Sequence, residues 1–172
     1  MNTAWDHILD KDETILWQGR PDGALHFRLK NVGTFIFGLF FAGFALFWMV
    51  MASQAGGFFW MFGLIHFSVG IGVSFGSLFY DVYRRRHTWY TLTDRRAFIA
   101  TDMVHKGRQL KSYPITKDMM LKFQPGPLPS IHFAQEVRRS NNGSRPVDIG
   151  FDWIADGDEV IVMIRQIQRG TP

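Results

Sequence analysis

The sequence predicts an α+β membrane protein in which a two-helix transmembrane hairpin is followed by a small β-rich domain closed by a C-terminal amphipathic helix. Three observations predict it: an apolar block from Val32 to Tyr80, Lys and Arg gathered at the flanks of that block, and period-two alternation from His87 onward. With 172 residues, the chain has room for membrane spans plus one modest domain. Mean hydropathy is near zero only because the apolar block is averaged with polar flanks.

The block holds most of the seventeen Phe, which lipid or helix neighbours can accept. The chain has no cysteine, which excludes disulfides, thiolate metal sites, iron–sulfur clusters and cysteine nucleophiles. It opens on Trp5, Asp6, His7, Asp10, Lys11, Asp12 and Glu13 rather than on a basic start and an early apolar core, so the first span is expected to be permanent.

Residues 1–31 read as an N-terminal segment, with a strand that could join the later domain; residues 32–80 read as the hairpin, with spans at about 33–51 and 57–80. Neither span contains Asp, Glu, Lys or Arg, and each covers roughly the 30 Å of a bilayer core at 1.5 Å per residue. Ala52, Ser53, Gln54, Ala55 and Gly56 make a link short enough to force antiparallel helices. Arg20, Arg28 and Lys30 precede the first span, Arg84, Arg85 and Arg86 follow the second, and the link has no positive charge. Positive charge is retained on the cytoplasmic side, so both termini are expected there.

In the second span Ser68, Gly72 and Gly76 recur at every fourth residue, with Gly70 and Ser74 on a neighbouring line. Small residues so spaced let helix backbones approach, against the first span or against a second copy or another membrane protein. His66 is an ionisable group inside a span. Haem ligation through two histidines would need a second buried His that the first span lacks, so a neutral His hydrogen-bonded to a neighbouring helix is expected.

The domain from 84 to 172 begins with Thr88, Tyr90 and Leu92 alternating against Trp89, Thr91 and Thr93, followed by Asp94, Arg95, Arg96 and the run Ala97 to Thr101. Further strands are predicted at Gln109 to Ile115, Met119 to Gln124, Ile131 to Val137 and Val147 to Trp153. Turn formers separate them at Lys106-Gly107, Pro125 to Pro129 and Asn141 to Ser144, so a small barrel or sandwich is expected. Val160, Met163, Ile164 and Ile167 mark the apolar face of a final helix, and Asp156 and Glu159 have capping-box spacing at its start.

Tyr90-Thr91-Leu92-Thr93-Asp94-Arg95-Arg96, read as Tyr-x-Leu-Thr-Asp-x-Arg, resembles the opening hairpin of bacterial pleckstrin-homology-like domains. The segment Glu13 to Pro21, ahead of two spans, also resembles the membrane members of that family in order and spacing. The resemblance spans nearly the whole chain. It implies a partly open β-barrel plugged by the C-terminal helix, in a bacterial inner membrane, and implies no particular activity.

Phosphate-binding glycine motifs, His-Glu-x-x-His and Gly-x-Ser-x-Gly are all missing from the sequence. Asp148, Asp152, Asp156, Asp158 and Glu159 are interrupted by Phe151, Trp153 and Ile154, which a calcium loop would not hold, and His87, His105 and His132 lack ligand spacing. No enzyme activity, metal or cofactor is expected. Residues 84–172 carry fifteen Lys or Arg against nine Asp or Glu. Arg84, Arg85, Arg86, Arg95 and Arg96 fall near the membrane exit, as topology determinants or as contacts to anionic lipid headgroups. Basic residues are not interleaved with aromatics, so nucleic acid is not an expected partner. Two functions fit: a membrane-tethered interaction module holding a protein partner, and an accessory subunit docking through its transmembrane helices.

Overall fold

A computed structural model describes residues 5, 7–25, 29–104, 107–140 and 143–170, with backbone only at 29–31, 77 and 140. Asp6, Arg28, His105, Lys106, Asn141 and Asn142, which enter the sequence reading, lie outside the described residues.

The chain divides into two compact units. One joins residues 1–22 to residues 84–172, and the other is 23–83. In the first unit, β1 (Ile15–Gly19), β2 (Thr88–Thr93), β3 (Arg96–Met103) and β4 (Gly107–Pro114) form an antiparallel sheet in that order. A second sheet has the order β5 (Lys122–Gln124), β6 (Ser130–Ser140) and β7 (Gly143–Phe151), also antiparallel. The first unit is thus discontinuous in sequence: β1, ahead of the apolar helices, pairs with β2, behind them, through Ile15↔Thr93, Trp17↔Leu92, Gln18↔Thr91 and Gly19↔Tyr90.

The two sheets do not close into a barrel. A turn at 116–119, with the Met119 N–H on the Thr116 carbonyl at 3.2 Å, carries the chain out of strand conformation after β4. Gln168 Nε2 then donates to the carbonyls of Thr116 (3.1 Å) and Met119 (2.9 Å), which ties that connection to the final helix instead. The predicted strand at Met119 to Gln124 is accordingly shortened to Lys122–Gln124.

Helix α3 (Gly157–Arg169) buries Val160, Ile161, Ile164 and Ile167 against Leu92, Ile131, Phe133 and Phe151, all within one core cluster. It ends where Gly170 adopts φ 74°, a left-handed conformation that glycine takes without steric cost, and its N–H caps the carbonyls of Gln166 and Ile167. The expected capping box does not form. Asp156 is the N-cap, but at φ −92° and ψ 26° its side chain makes no cap hydrogen bond, and its carboxylate instead accepts from Trp17 Nε1 at 3.3 Å.

The second unit contains helix α1 (Leu29–Gln54), a 3-10 turn (Phe59–Met61) and helix α2 (Phe62–Arg86), of which residues up to Tyr83 belong to this unit. Gly56 and Gly57, at φ 81° and 76°, reverse the chain between them. Val32–Gln54 and Phe59–Gly76 are long and apolar enough to cross a membrane. Little of this apolar surface is covered by the chain itself: Phe40, Phe47 and Phe58 are 74%, 64% and 83% exposed.

Candidate functional site

The two motifs that frame the apolar helices meet in the first unit. The Glu13 side chain is fully buried and its carboxylate accepts from Thr93 Oγ1 at 2.6 Å, Arg96 Nε at 3.2 Å and the Asp10 N–H at 2.9 Å, with a further ion pair to Arg96 Nη2. Thr93 Oγ1 in turn accepts from the Arg96 N–H at 2.9 Å, which shapes the β2–β3 turn. Asp94 Oδ1 accepts the Thr14 N–H and the Asp94 N–H donates to the Thr14 carbonyl, both at 3.1 Å. The Tyr90 hydroxyl accepts the Asp152 N–H at 3.2 Å, and Leu92 is wholly buried. Thr93, Asp94 and Arg96 of Tyr-x-Leu-Thr-Asp-x-Arg therefore join the segment ahead of the hairpin to the domain behind it, whereas the Tyr90 hydroxyl binds within that domain and Leu92 lies in its core.

Burial alone would raise the Glu13 carboxyl, but hydrogen bonds from Arg96, Thr93 and the Asp10 backbone outweigh it and hold it at about 2, against an ordinary 4.5. A carboxylate depressed in the folded state stabilises the fold fully above its unfolded value and loses that contribution as pH falls towards the folded value. A displacement of this size corresponds to about 3 kcal/mol. Unfolding of the first unit is therefore expected to become easier as pH falls from about 4.5 towards about 2, and a Glu13→Gln variant is expected to flatten that part of a denaturation-versus-pH curve.

The expected basic cluster divides. Arg84, Arg85 and Arg86 form the last turn of α2, whereas Arg95 and Arg96 sit at the opposite end of β2. A strand of six residues separates the two groups by about 20 Å. Arg96 is taken up by Glu13 and Asp10 and lies over the Phe98 ring at 5.1 Å. Arg85 is 4% exposed, donates to the Asp22 carbonyl at 2.8 Å and lies 5.2 Å from the Trp153 ring centroid. Neither of these two can serve a headgroup, because each is committed within the first unit. Arg95 is exposed at the turn.

Within the second unit the two small-residue lines part company, since residues two apart on a helix lie about 200° apart. A Cβ at Gly70 would come within 2.7 Å of the Ala42 backbone, and one at Gly38 would strike Ser74. Ser74 Oγ lies 3.0 Å from the Gly70 carbonyl and 3.2 Å from that of Phe35. The contact between α1 and α2 is therefore built on Gly38, Ala42, Gly70 and Ser74. Ser68 is exposed, and a Cβ at Gly72 or Gly76 would meet nothing, so of the partners the sequence allows for this line the first span is excluded.

His66 also departs from expectation. Its Nδ1 donates to the Phe62 carbonyl at 3.3 Å, one turn back on its own helix rather than on a neighbouring one. The ring lies 5.0 Å from that of Phe62 and 6.1 Å from that of Phe41, at the wall of a cavity of about 280 Å³ lined also by Phe44, Ala45, Trp48 and Gly63.

The carboxylates of the region 148–159 do not converge. Asp148 pairs with Lys122 at 3.1 Å, Asp152 with His132 Nε2 at 2.9 Å, and Asp156 with Trp17. The His132–Asp152 pair was not anticipated, since twenty residues separate the two and only the β6–β7 pairing brings them together. No group of three or more His, Cys, Asp or Glu fit to hold a metal occurs among the described residues.

Comparisons of the chain with protein-family profiles, curated proteins and solved structures return no match.

Proposed function

We propose that the protein is a non-enzymatic, membrane-anchored interaction or scaffold module of the pleckstrin-homology-like kind, held at the cytoplasmic face of a bacterial inner membrane. The observation that carries this reading is the pairing of β1 with β2 on either side of the apolar helices. A single folded unit assembled from both flanks requires both to lie on the same side of any bilayer the hairpin crosses. The positive flanks favour the cytoplasmic side. Lipids around the hairpin and a protein held by the first unit are the partners of this reading.

A second reading, an accessory or assembly subunit docking through its membrane helices, is favoured by Gly72 and Gly76, whose backbone lies bare on the side of α2 away from α1. Such a surface suits close approach by a second copy or another membrane protein. Affinity purification of the full chain from native membranes in mild detergent separates the two. The interaction module is expected to retain its partner when Gly72 and Gly76 are replaced by Leu. Loss of the partner in that variant, with the first unit still folded, contradicts the module and supports the accessory subunit.

A further inference from the structure

Strand β4 is the last strand of its sheet, and among the described residues no strand pairs with its outer side. The register tells which of its backbone groups face outward. The Ile115 N–H donates to the Arg95 carbonyl at 2.9 Å, which marks that position as hydrogen-bonded to the neighbouring strand. Such positions alternate in an antiparallel ladder. Tyr113, Lys111 and Gln109 therefore direct their N–H and C=O groups at Ala97, Ile99 and Thr101, while Arg108, Leu110 and Ser112 direct theirs away from the sheet. Pro114 belongs to the same outward series and has no N–H to leave unpaired. The edge is uncovered, for every residue from Gly107 to Ser112 is exposed, and its eight residues run in register without a bulge.

The β6–β7 hairpin lies beside this edge. Glu136 accepts from Lys111 Nζ at 2.7 and 2.8 Å and from the Tyr113 hydroxyl at 2.6 Å. Arg138 is two residues further along β6 and so shares the face of Glu136, and Arg145 stands directly opposite it on β7. Like charges so placed destabilise a strand pair. Glu136 attracts Arg138 through space, but its carboxylate oxygens are bonded to Lys111 and Tyr113, as those of Asp148 are to Lys122 and Gln135. Among the described residues, no carboxylate lies within ion-pair distance of Arg138 or Arg145.

We propose that the outer edge of β4 takes up an acidic segment of a protein partner as an added β-strand beside Arg138 and Arg145. The proposal rests on the interaction-module reading and names its surface. The added backbone would meet the outward N–H and C=O groups of Arg108, Leu110 and Ser112. Every second side chain would fall on the face that carries the two guanidinium groups, where a carboxylate can accept from both. A nucleic acid would offer phosphates to the arginines but nothing to the alternating donors and acceptors of the edge, and β4 presents no exposed aromatic ring for a base to stack on.

The test is selection of a phage-displayed library of random decapeptides on the full chain in zwitterionic nanodiscs. Enriched peptides are expected to alternate Asp or Glu with β-branched residues. Their affinity is expected to fall about tenfold or more with Leu110→Pro, which removes one outward donor and leaves the bonds to β3 intact, and similarly with Arg138→Glu combined with Arg145→Glu. Ser112→Pro, at another outward position, repeats the first arm should Leu110→Pro fail to fold. The proposal is overturned by an absence of enrichment, by enriched peptides without acids, by proline variants that bind as well as the parent, or by an equally charged oligothymidine that competes for the site. Co-purification of a native partner with all these variants would discard this surface and leave the module reading standing; failure of the parent chain to retain any partner would count against the module itself.

Discussion

Replacing Glu13 by Ala is expected to destabilise the first unit by about 3 kcal/mol, the lower end of the cost of stripping one partner from a buried ion pair. Arg96 is 23% exposed at its side chain and would keep as its one carboxylate partner Asp10, itself 62% exposed, at 3.3 Å. Thr93 and the Asp10 N–H would also lose their shared acceptor. Denaturation of the full chain in detergent, followed by tryptophan fluorescence, measures the loss. Glu13→Leu combined with Arg96→Met is expected to recover most of it, since removing both charges abolishes the uncompensated guanidinium. A loss below about 0.5 kcal/mol in Glu13→Ala would mean that the Glu13–Arg96 pair does not hold the two flanks together.

The second large effect concerns the hairpin. Gly70→Leu is expected to cost at least about 3 kcal/mol, because its side chain would have to occupy space filled by the Ala42 backbone and Cβ, 2.7 and 2.8 Å from the first added carbon. Gly72→Leu is expected to change stability by no more than about 0.5 kcal/mol, as nothing stands beside it within the chain. Thermal unfolding and the monodisperse fraction on size exclusion check both. Equal damage from the two substitutions would place Gly72 in a contact that the isolated chain does not make, as the accessory-subunit reading requires.

The division between legible and illegible features has a physical basis. The α+β class, the apolar helices and most of the antiparallel strands follow from local periodicity, which is why Thr88 to Thr93 and the face of Val160, Ile164 and Ile167 could be read directly. Gly70/Ser74 and Ser68/Gly72/Gly76 are equivalent as patterns, and only the partner helix chooses between them. Arg84 to Arg86 and Arg95 and Arg96 are close along the chain but not in space, because an extended strand separates them. Glu13 gave no signal as an isolated acid, since its role depends on a residue 83 positions away. Strand count allows a small barrel or a sandwich and does not choose between them; a closed barrel does not form, and the turn after β4 is held by α3.

The proposed topology places β1, ahead of the apolar helices, and the domain behind them on one side of a membrane that the hairpin crosses twice. The chain has no cysteine, so single cysteines at Lys11, Ala55 and Gly126 can be tested with a membrane-impermeant maleimide in intact and permeabilised cells. The Ala55 position is expected to be labelled in intact cells, and the Lys11 and Gly126 positions only after permeabilisation. Labelling of Lys11 and Gly126 from opposite sides would contradict this topology, because strands on opposite sides of a bilayer cannot pair.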